Sequence, residues 1–269
     1  GLVLCPTREH GLQITDDLKR FARYTPGAQI AAVFGGADIG QQIRQIKNGA
    51  RLVVAPPGRL LDLINRGAVR LETLAYAVLD EADEMLNMGF QEDINAILKH
   101  TPAGRRTWLF SATMPPAAVK MAQTYMNRPA TISAGPSNRA ADNIAHACYV
   151  VRDADRYAAL RRVIDYTPGI FGLIFCRTRL ETQQVADKLM ADGYQAEPLH
   201  GELTQAQRSR VMLKFRQRTL QLLVATDVAA RGLDVDDITH VINYNLRLEP
   251  ERYTHRCGRT ARAGKSGVS

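Results

Sequence analysis

The sequence predicts an α/β protein of two tandem domains, each a parallel sheet flanked by helices. Three observations predict it. Short apolar runs alternate with stretches of 3.6-residue periodicity almost throughout, the pattern of strands buried on both faces by intervening helices. One break of small and polar residues, Ser133 to Asp142, interrupts the alternation near the middle and reads as a linker. The length of 269 residues suits two domains of ordinary size. The expected division is residues 1–132, a linker over 133–142, and 143–269.

In order, strands are expected at Leu2 to Cys5, Ile30 to Val33, Leu52 to Val54, Ala75 to Leu79 and Thr107 to Phe110, with helices over Leu12 to Tyr24 and Ile39 to Ile46. The first strand opens at the second residue, so the chain is expected to start inside a domain. Beyond the linker, strands are expected at His146 to Val151, Gly172 to Cys176, Leu220 to Ala225 and His240 to Ile242. Helices are expected near Asp155 to Asp165, Leu180 to Asp192 and Gln205 to Arg216.

A hydrophobic content of 45% excludes a disordered or collagen-like chain. No apolar run approaches the roughly 18 residues of a membrane span, and no basic stretch followed by an apolar core opens the sequence. The expectation is a cytoplasmic protein without a membrane association. Cys5, Cys148, Cys176 and Cys257 lie too far apart for a paired metal knuckle, and four cysteines in a chain of 269 residues do not resemble a disulfide framework. A formal charge of +8 favours an anionic partner.

Val78-Leu79-Asp80-Glu81-Ala82-Asp83 ends an apolar run on three carboxylates. A strand ending in acid at the ligand edge of a parallel sheet can hold a metal, or it can be a solvated turn. Pro6-Thr7-Arg8-Glu9 opens a helix after the first strand, either meeting a phosphate or leaving Arg8 solvated. Phe34-Gly35-Gly36 and Pro56-Pro57-Gly58-Arg59 also follow strands, as phosphate-approaching loops or as ordinary turns. Ser111-Ala112-Thr113 either caps the following helix or bonds the neighbouring acidic strand end.

These stretches occur in the order and spacing of the DEAD-box ATP-dependent RNA helicases, which the chain resembles over essentially its whole length. The second half continues the resemblance through Phe175-Cys176-Arg177-Thr178, His200-Gly201-Glu202-Leu203 with Gln205 and Arg208, Ala225 to Asp234, and His255 to Gly264. Around Leu220 to Asp234 it is similar to bacterial cold-shock and ribosome-assembly members.

The resemblance implies two RecA-like domains with ATP between them and RNA across both, in a monomeric core. It implies that Asp80 holds Mg²⁺ through its water shell and that Glu81 orients and deprotonates the attacking water. Arg259 and Arg262 match the arginine fingers, and Gly232 and Asp234 the nucleotide contacts, with Asp234 on the ribose. Asp83, Ser111, Thr113 and His255 match the residues that couple nucleotide state to domain contact. RNA contacts fall to Pro6, Thr7, Arg8, Gly36, Gly58 and Arg59, and to Arg177, Gln205, Arg208 and Thr226. Such donors suit phosphates and sugars, so single-stranded or locally duplexed RNA is expected with little sequence preference. Ribosomal RNA is an expectation by analogy.

The sequence also departs from the family pattern. A G-x-x-x-x-G-K-[ST] loop is expected before Pro6, and these residues do not contain it. Gly264-Lys265-Ser266 imitates its end, but Arg259 stands where the first Gly belongs. The first domain is therefore expected to lack its N-terminal part and the second its last strand, so that the chain alone hydrolyses ATP weakly or not at all. Pro56 replaces the usual Thr, removing a hydroxyl and an amide. His10 replaces the usual Leu and reads as a packed or solvated side chain. Ala261 replaces a Gly, which strains the loop if φ there is positive. The alternatives are a non-hydrolysing RNA clamp or scaffold and, more distantly, a DNA-translocating helicase. Asp83, where relatives of the latter often carry His, favours the RNA branch.

Overall fold

The computed structural model describes residues 1–133, 143–233, 235–246, 250–261 and 264–269, with only the backbone of Pro250 and Glu251. Of the expected linker, Ser133 alone is described. Internal contacts divide the chain into two compact units, Gly1–Ser137 and Asn138–Ser269. Among the described residues no helix is long and apolar enough to cross a membrane.

The first unit contains strands β1 (Leu2–Leu4), β2 (Ile30–Ala32), β3 (Leu52–Ala55), β4 (Tyr76–Leu79) and β5 (Arg106–Leu109). Its helices are α1 (Arg8–Phe21), α2 (Ile39–Lys47), α3 (Pro57–Asn65), α4 (Ala82–Asn87), α5 (Gln91–Lys99) and α6 (Pro116–Tyr125). The sheet is parallel, in the order β2-β3-β1-β4-β5. Strand β1 is buried on both faces: Leu2 and Leu4 join the larger core, while Val3 packs with Cys5 and Val54 under Ile14 and Leu18. That two-sided burial is why the strands read as continuous apolar runs.

The chain runs outward from β1 to β2, returns through β3, then crosses to β4 on the other side of β1. The strand order therefore reverses between β1 and β4, and the crevice at the carboxyl ends of these two strands is where such sheets take ligands. The helix expected from Leu12 begins earlier, at Arg8, because the Thr7 hydroxyl accepts from the His10 N–H at 3.3 Å and caps it.

The second unit contains β6 (Ile144–Ala145), β7 (Gly172–Cys176), β8 (Ala196–Leu199), β9 (Leu222–Thr226), β10 (His240–Asn243) and β11 (Gly267–Val268). Its helices are α7 (Arg156–Asp165), α8 (Arg179–Ala191), α9 (Gln205–Arg216), α10 (Asp227–Ala230) and α11 (Pro250–Cys257). The parallel order is β6-β11-β10-β7-β9-β8, with the reversal between β7 and β10. Leu173 and Phe175 face one core and Ile174 and Cys176 the other.

The strand expected over His146 to Val151 is not formed. Pairing with β11 stops at the bond from the Ala147 N–H to the Ser269 carbonyl, 2.9 Å, and residues 148–151 find no ladder among the described residues. Strand β8 is not evident in the sequence because Pro198 interrupts it; as an edge strand it tolerates a missing donor.

All four cysteines are free thiols, and Cys148 is exposed whereas Cys5, Cys176 and Cys257 are buried. Burial pushes these three thiols up, and the charges of Asp80 and Glu81 push Cys5 further. A raised value leaves less thiolate at any given pH, so labelling of the folded protein is expected to stop at Cys148 until the pH is well above the usual thiol range. Rapid modification of Cys5 at neutral pH, read by peptide mass spectrometry, would contradict this.

Candidate functional site

Asp80 and Glu81 follow β4 at the reversal point. The Asp80 N–H still bonds the Leu4 carbonyl of β1, at 2.9 Å, while the Ala82 N–H bonds the Phe110 carbonyl on the other side, at 3.0 Å. The residue between must turn the chain, and Glu81 does so in the left-handed region, φ 51° and ψ 52°. A non-glycine residue held there stores about 1–3 kcal/mol of strain, a cost concentrated at functional sites. One carboxylate oxygen of Glu81, Oε2, is buried without a hydrogen-bond partner.

His10, read from the sequence as packed or solvated, is packed against the acidic strand end, its side chain 15% exposed. Its Nε2 lies 2.9 Å from Asp80 Oδ2 and its Nδ1 3.5 Å from Glu81 Oε1. Apart from the departure from Leu, no sequence signal points to this contact, since β1 and β4 become neighbours only in the sheet.

Asp83 is buried, 1% exposed, and tied to the end of β5. The Thr113 N–H and hydroxyl both donate to Asp83 Oδ2, at 2.8 and 2.7 Å. The Asp83 N–H donates to the Ser111 hydroxyl oxygen at 3.1 Å, and that hydroxyl donates to the Thr113 carbonyl at 2.6 Å. Of the two readings of Ser111-Ala112-Thr113, the bond to the acidic strand end is the one formed. Pro115 occupies the cap of α6, without a side-chain cap bond.

The turns after β1, β2 and β3 also come together. The Arg8 guanidinium lies over the Phe34 ring, 4.4 Å from its centroid, and Nη1 donates to the Gly35 carbonyl at 3.4 Å. Gly36 adopts φ 74°, which favours glycine, and a Cβ there would lie 3.4 Å from Arg8 Nη1. Arg59 Nη1 donates to Gln42 Oε1 at 3.3 Å. Pro6 is buried at the end of β1, and Gly58 is exposed in the first turn of α3, which Pro56 caps without a side-chain bond.

In the second unit, Arg177 is exposed after β7. Its N–H donates to Asn245 Oδ1 and Glu181 Oε2, at 3.0 and 2.9 Å, across the β7/β10 reversal. Arg208 Nη2 donates to the Ala229 carbonyl at 2.7 Å, and Thr226 caps α10 by accepting from the Ala229 N–H. Gln205 opens α9, one turn before Arg208. Arg259 Nη1 donates to the Leu233 carbonyl at 3.0 Å, next to Gly232, which adopts φ 67°. His255 sits in the last turn of α11. Asp234 and Arg262 lie outside the described residues.

Arg256 lies within the His255 to Gly264 stretch, has no role assigned from sequence, and is 3% exposed. It meets Asp227 through Nε and Nη2 at 2.5 and 2.9 Å, and Nη1 donates to Asn243 Oδ1 and the Asn245 carbonyl. Two motifs are thereby joined inside the second unit. Ala261 adopts φ 58°, so the strain expected of an alanine there is present. Ala261→Gly is expected to raise stability by about 1 kcal/mol in thermal or denaturant unfolding; an unchanged midpoint would argue against strain.

The DEAD/DEAH box helicase model matches residues 1–122 and the helicase conserved C-terminal domain model residues 155–264. A DEAD box protein of known structure from Methanococcus jannaschii is 41% identical, with 99% of this chain and 72% of that one covered and a TM-score of 0.51. The chain belongs to the DEAD-box helicase family. The DEAD-box ATP-dependent RNA helicase CshA of Geobacillus kaustophilus is 44% identical over the whole chain, which covers 57% of that protein. Saccharomyces cerevisiae Dbp5 bound to RNA and ADP BeF3 is 27% identical with a TM-score of 0.86, covering 99% of this chain and 69% of that one. This DEAD-box chain spans about half the length of the curated relatives it matches.

Proposed function

We propose that this chain is the core of an ATP-dependent RNA helicase that couples ATP hydrolysis to RNA binding and to local unwinding of short duplexes or remodelling of RNA-protein complexes. The observation that carries the reading is the constellation after β4. A kinked Glu81 with a buried, unbonded carboxylate oxygen stands beside Asp80, and the next carboxylate, Asp83, is clasped by Thr113. The similarity to Dbp5 bound to RNA and ADP BeF3, and to helicases named CshA, supports both ligands.

Glu81 takes the proton of the attacking water, and its strained backbone aims the free oxygen without reorganisation. Among the described residues no three His, Cys, Asp or Glu side chains are grouped to ligate a metal directly. Mg²⁺ dehydrates reluctantly and needs only one or two carboxylates, so Asp80 fits as a holder through water; the ion would neutralise charge on the phosphates. Arg259 and Arg262 act as arginine fingers, Gly232 and Asp234 hold the nucleotide, and His255 joins Asp83, Ser111 and Thr113 in coupling. RNA phosphates and sugars meet Pro6, Thr7, Arg8, Gly36, Gly58 and Arg59, with Arg177, Gln205, Arg208 and Thr226 in the second domain.

The domains run over residues 1–132 and 143–269, joined by 133–142. The protein acts in the cytoplasm on RNA, with ribosomal RNA as a candidate target, and its core is monomeric. These 269 residues alone are expected to turn over ATP weakly or not at all, since they hold no G-x-x-x-x-G-K-[ST] loop. In the full-length protein, RNA is expected to stimulate ATP hydrolysis far more than DNA of matched sequence. Equal stimulation would count against an RNA helicase, and RNA binding without any hydrolysis would favour a clamp.

A further inference from the structure

Arg8 opens α1 after β1, the Phe34-Gly35-Gly36 turn follows β2, and Arg59 lies in the first turn of α3 after β3; none is fully buried. Long basic side chains lose rotamer freedom when they grip phosphate, so whatever orders them beforehand raises affinity. A single buried amide orders all three. Gln42 of α2 is 4% exposed. Its Oε1 accepts from the Phe34 N–H at 3.2 Å and its Nε2 donates to the Phe34 carbonyl at 3.0 Å.

This two-point pairing determines which way the amide faces: the oxygen must meet the N–H of Phe34. The same oxygen accepts from Arg59 Nη1 at 3.3 Å. The anchored Phe34 presents its ring to the Arg8 guanidinium, whose Nη1 bonds the next carbonyl, that of Gly35. Arg8 and Arg59 are thus set relative to one another through Gln42, although they lie far apart in the chain.

We infer that Gln42 is a positioning residue for RNA, holding Arg8, the Gly36 turn and Arg59 as one preorganised phosphate-binding surface. The inference rests on the reading of those three as RNA contacts. Gln42 itself touches no phosphate. Its removal acts by loosening the two guanidinium groups, and a residue that merely satisfied the Phe34 backbone would affect stability but not the salt dependence of RNA binding.

The test is binding of a short labelled single-stranded RNA, followed by fluorescence anisotropy across a salt series, for the unaltered protein, Gln42→Met, Arg59→Ala and the double variant. Gln42→Met is expected to weaken binding about three- to tenfold. It should also lower the slope of log K against log salt by up to about 0.7 for each phosphate no longer neutralised. Its effect should be less than additive with that of Arg59→Ala. If Gln42→Met does not fold, Gln42→Asn, one methylene too short to span Phe34 and Arg59, should show the same changes at smaller size. Full additivity, or an unchanged affinity and salt slope in a folded Gln42 variant, overturns the inference while the proposed function stands. No RNA binding by the unaltered protein overturns both.

Discussion

Glu81→Gln in the full-length helicase is expected to lower ATP turnover by about 10²–10⁴-fold, the range typical of losing a positioned general base. Gln has the size of Glu, so the turn between the Leu4 and Phe110 carbonyls is expected to persist. ATP-dependent RNA binding should therefore survive, because the group removed serves the chemical step and not the ground state. Steady-state hydrolysis and RNA affinity measured on the same preparation check both halves. Unchanged turnover would remove Glu81 from its role, whereas loss of RNA binding together with turnover would mean that its charge organises the site more widely.

Arg256→Ala is expected to destabilise the second unit by up to about 3–5 kcal/mol, because truncating one member of a buried ion pair takes two charge-assisted bonds from the other. Asp227 is largely enclosed, its side chain 14% exposed, and would lose both short bonds. Asn243 Oδ1 and the Asn245 carbonyl would lose their donor, and the Phe175 ring its guanidinium at 4.9 Å. The unfolding midpoint should fall by on the order of 10 °C. Replacing the pair together, Arg256→Met with Asp227→Leu, should recover much of the loss, since a buried pair contributes less than its separated halves cost. A fall of less than about 1 kcal/mol in the single variant would show that water reaches Asp227. Function should suffer below the melting range as well. Asp227 opens α10 directly after Thr226, and Arg256 lies three residues before Arg259.

Much of the fold is legible in the sequence because parallel strands buried on both faces must be apolar throughout, as Leu2 to Leu4 and Gly172 to Cys176 show. Helix α9 lies where the sequence places one, near Gln205 to Arg216, and the structure shows its start held by a capping box of Thr204 and Gln207, a local device. The extended segment after β6 misleads for the opposite reason. Its apolar run with Tyr149, Val150 and Val151 suits a strand, but a strand exists only where a neighbour pairs with it, and composition does not report neighbours.

The sequence by itself determined the kinds of groups at the site and their order: carboxylates closing one strand, hydroxyls closing the next, glycines and arginines after others. Strand ends of a parallel sheet share one edge, so the residues that follow the strands are brought together whatever the details of packing. Only the tertiary structure decided which of them touch. His10 reaches Asp80 because β1 and β4 are adjacent, Gln42 gathers Arg8 and Arg59 because α2 turns that face inward, and Arg256 finds Asp227 in the core of the second unit. Each of these contacts joins residues far apart in the chain. Their energies come from burial and from the partners they meet there, and neither can be read from residue type and spacing.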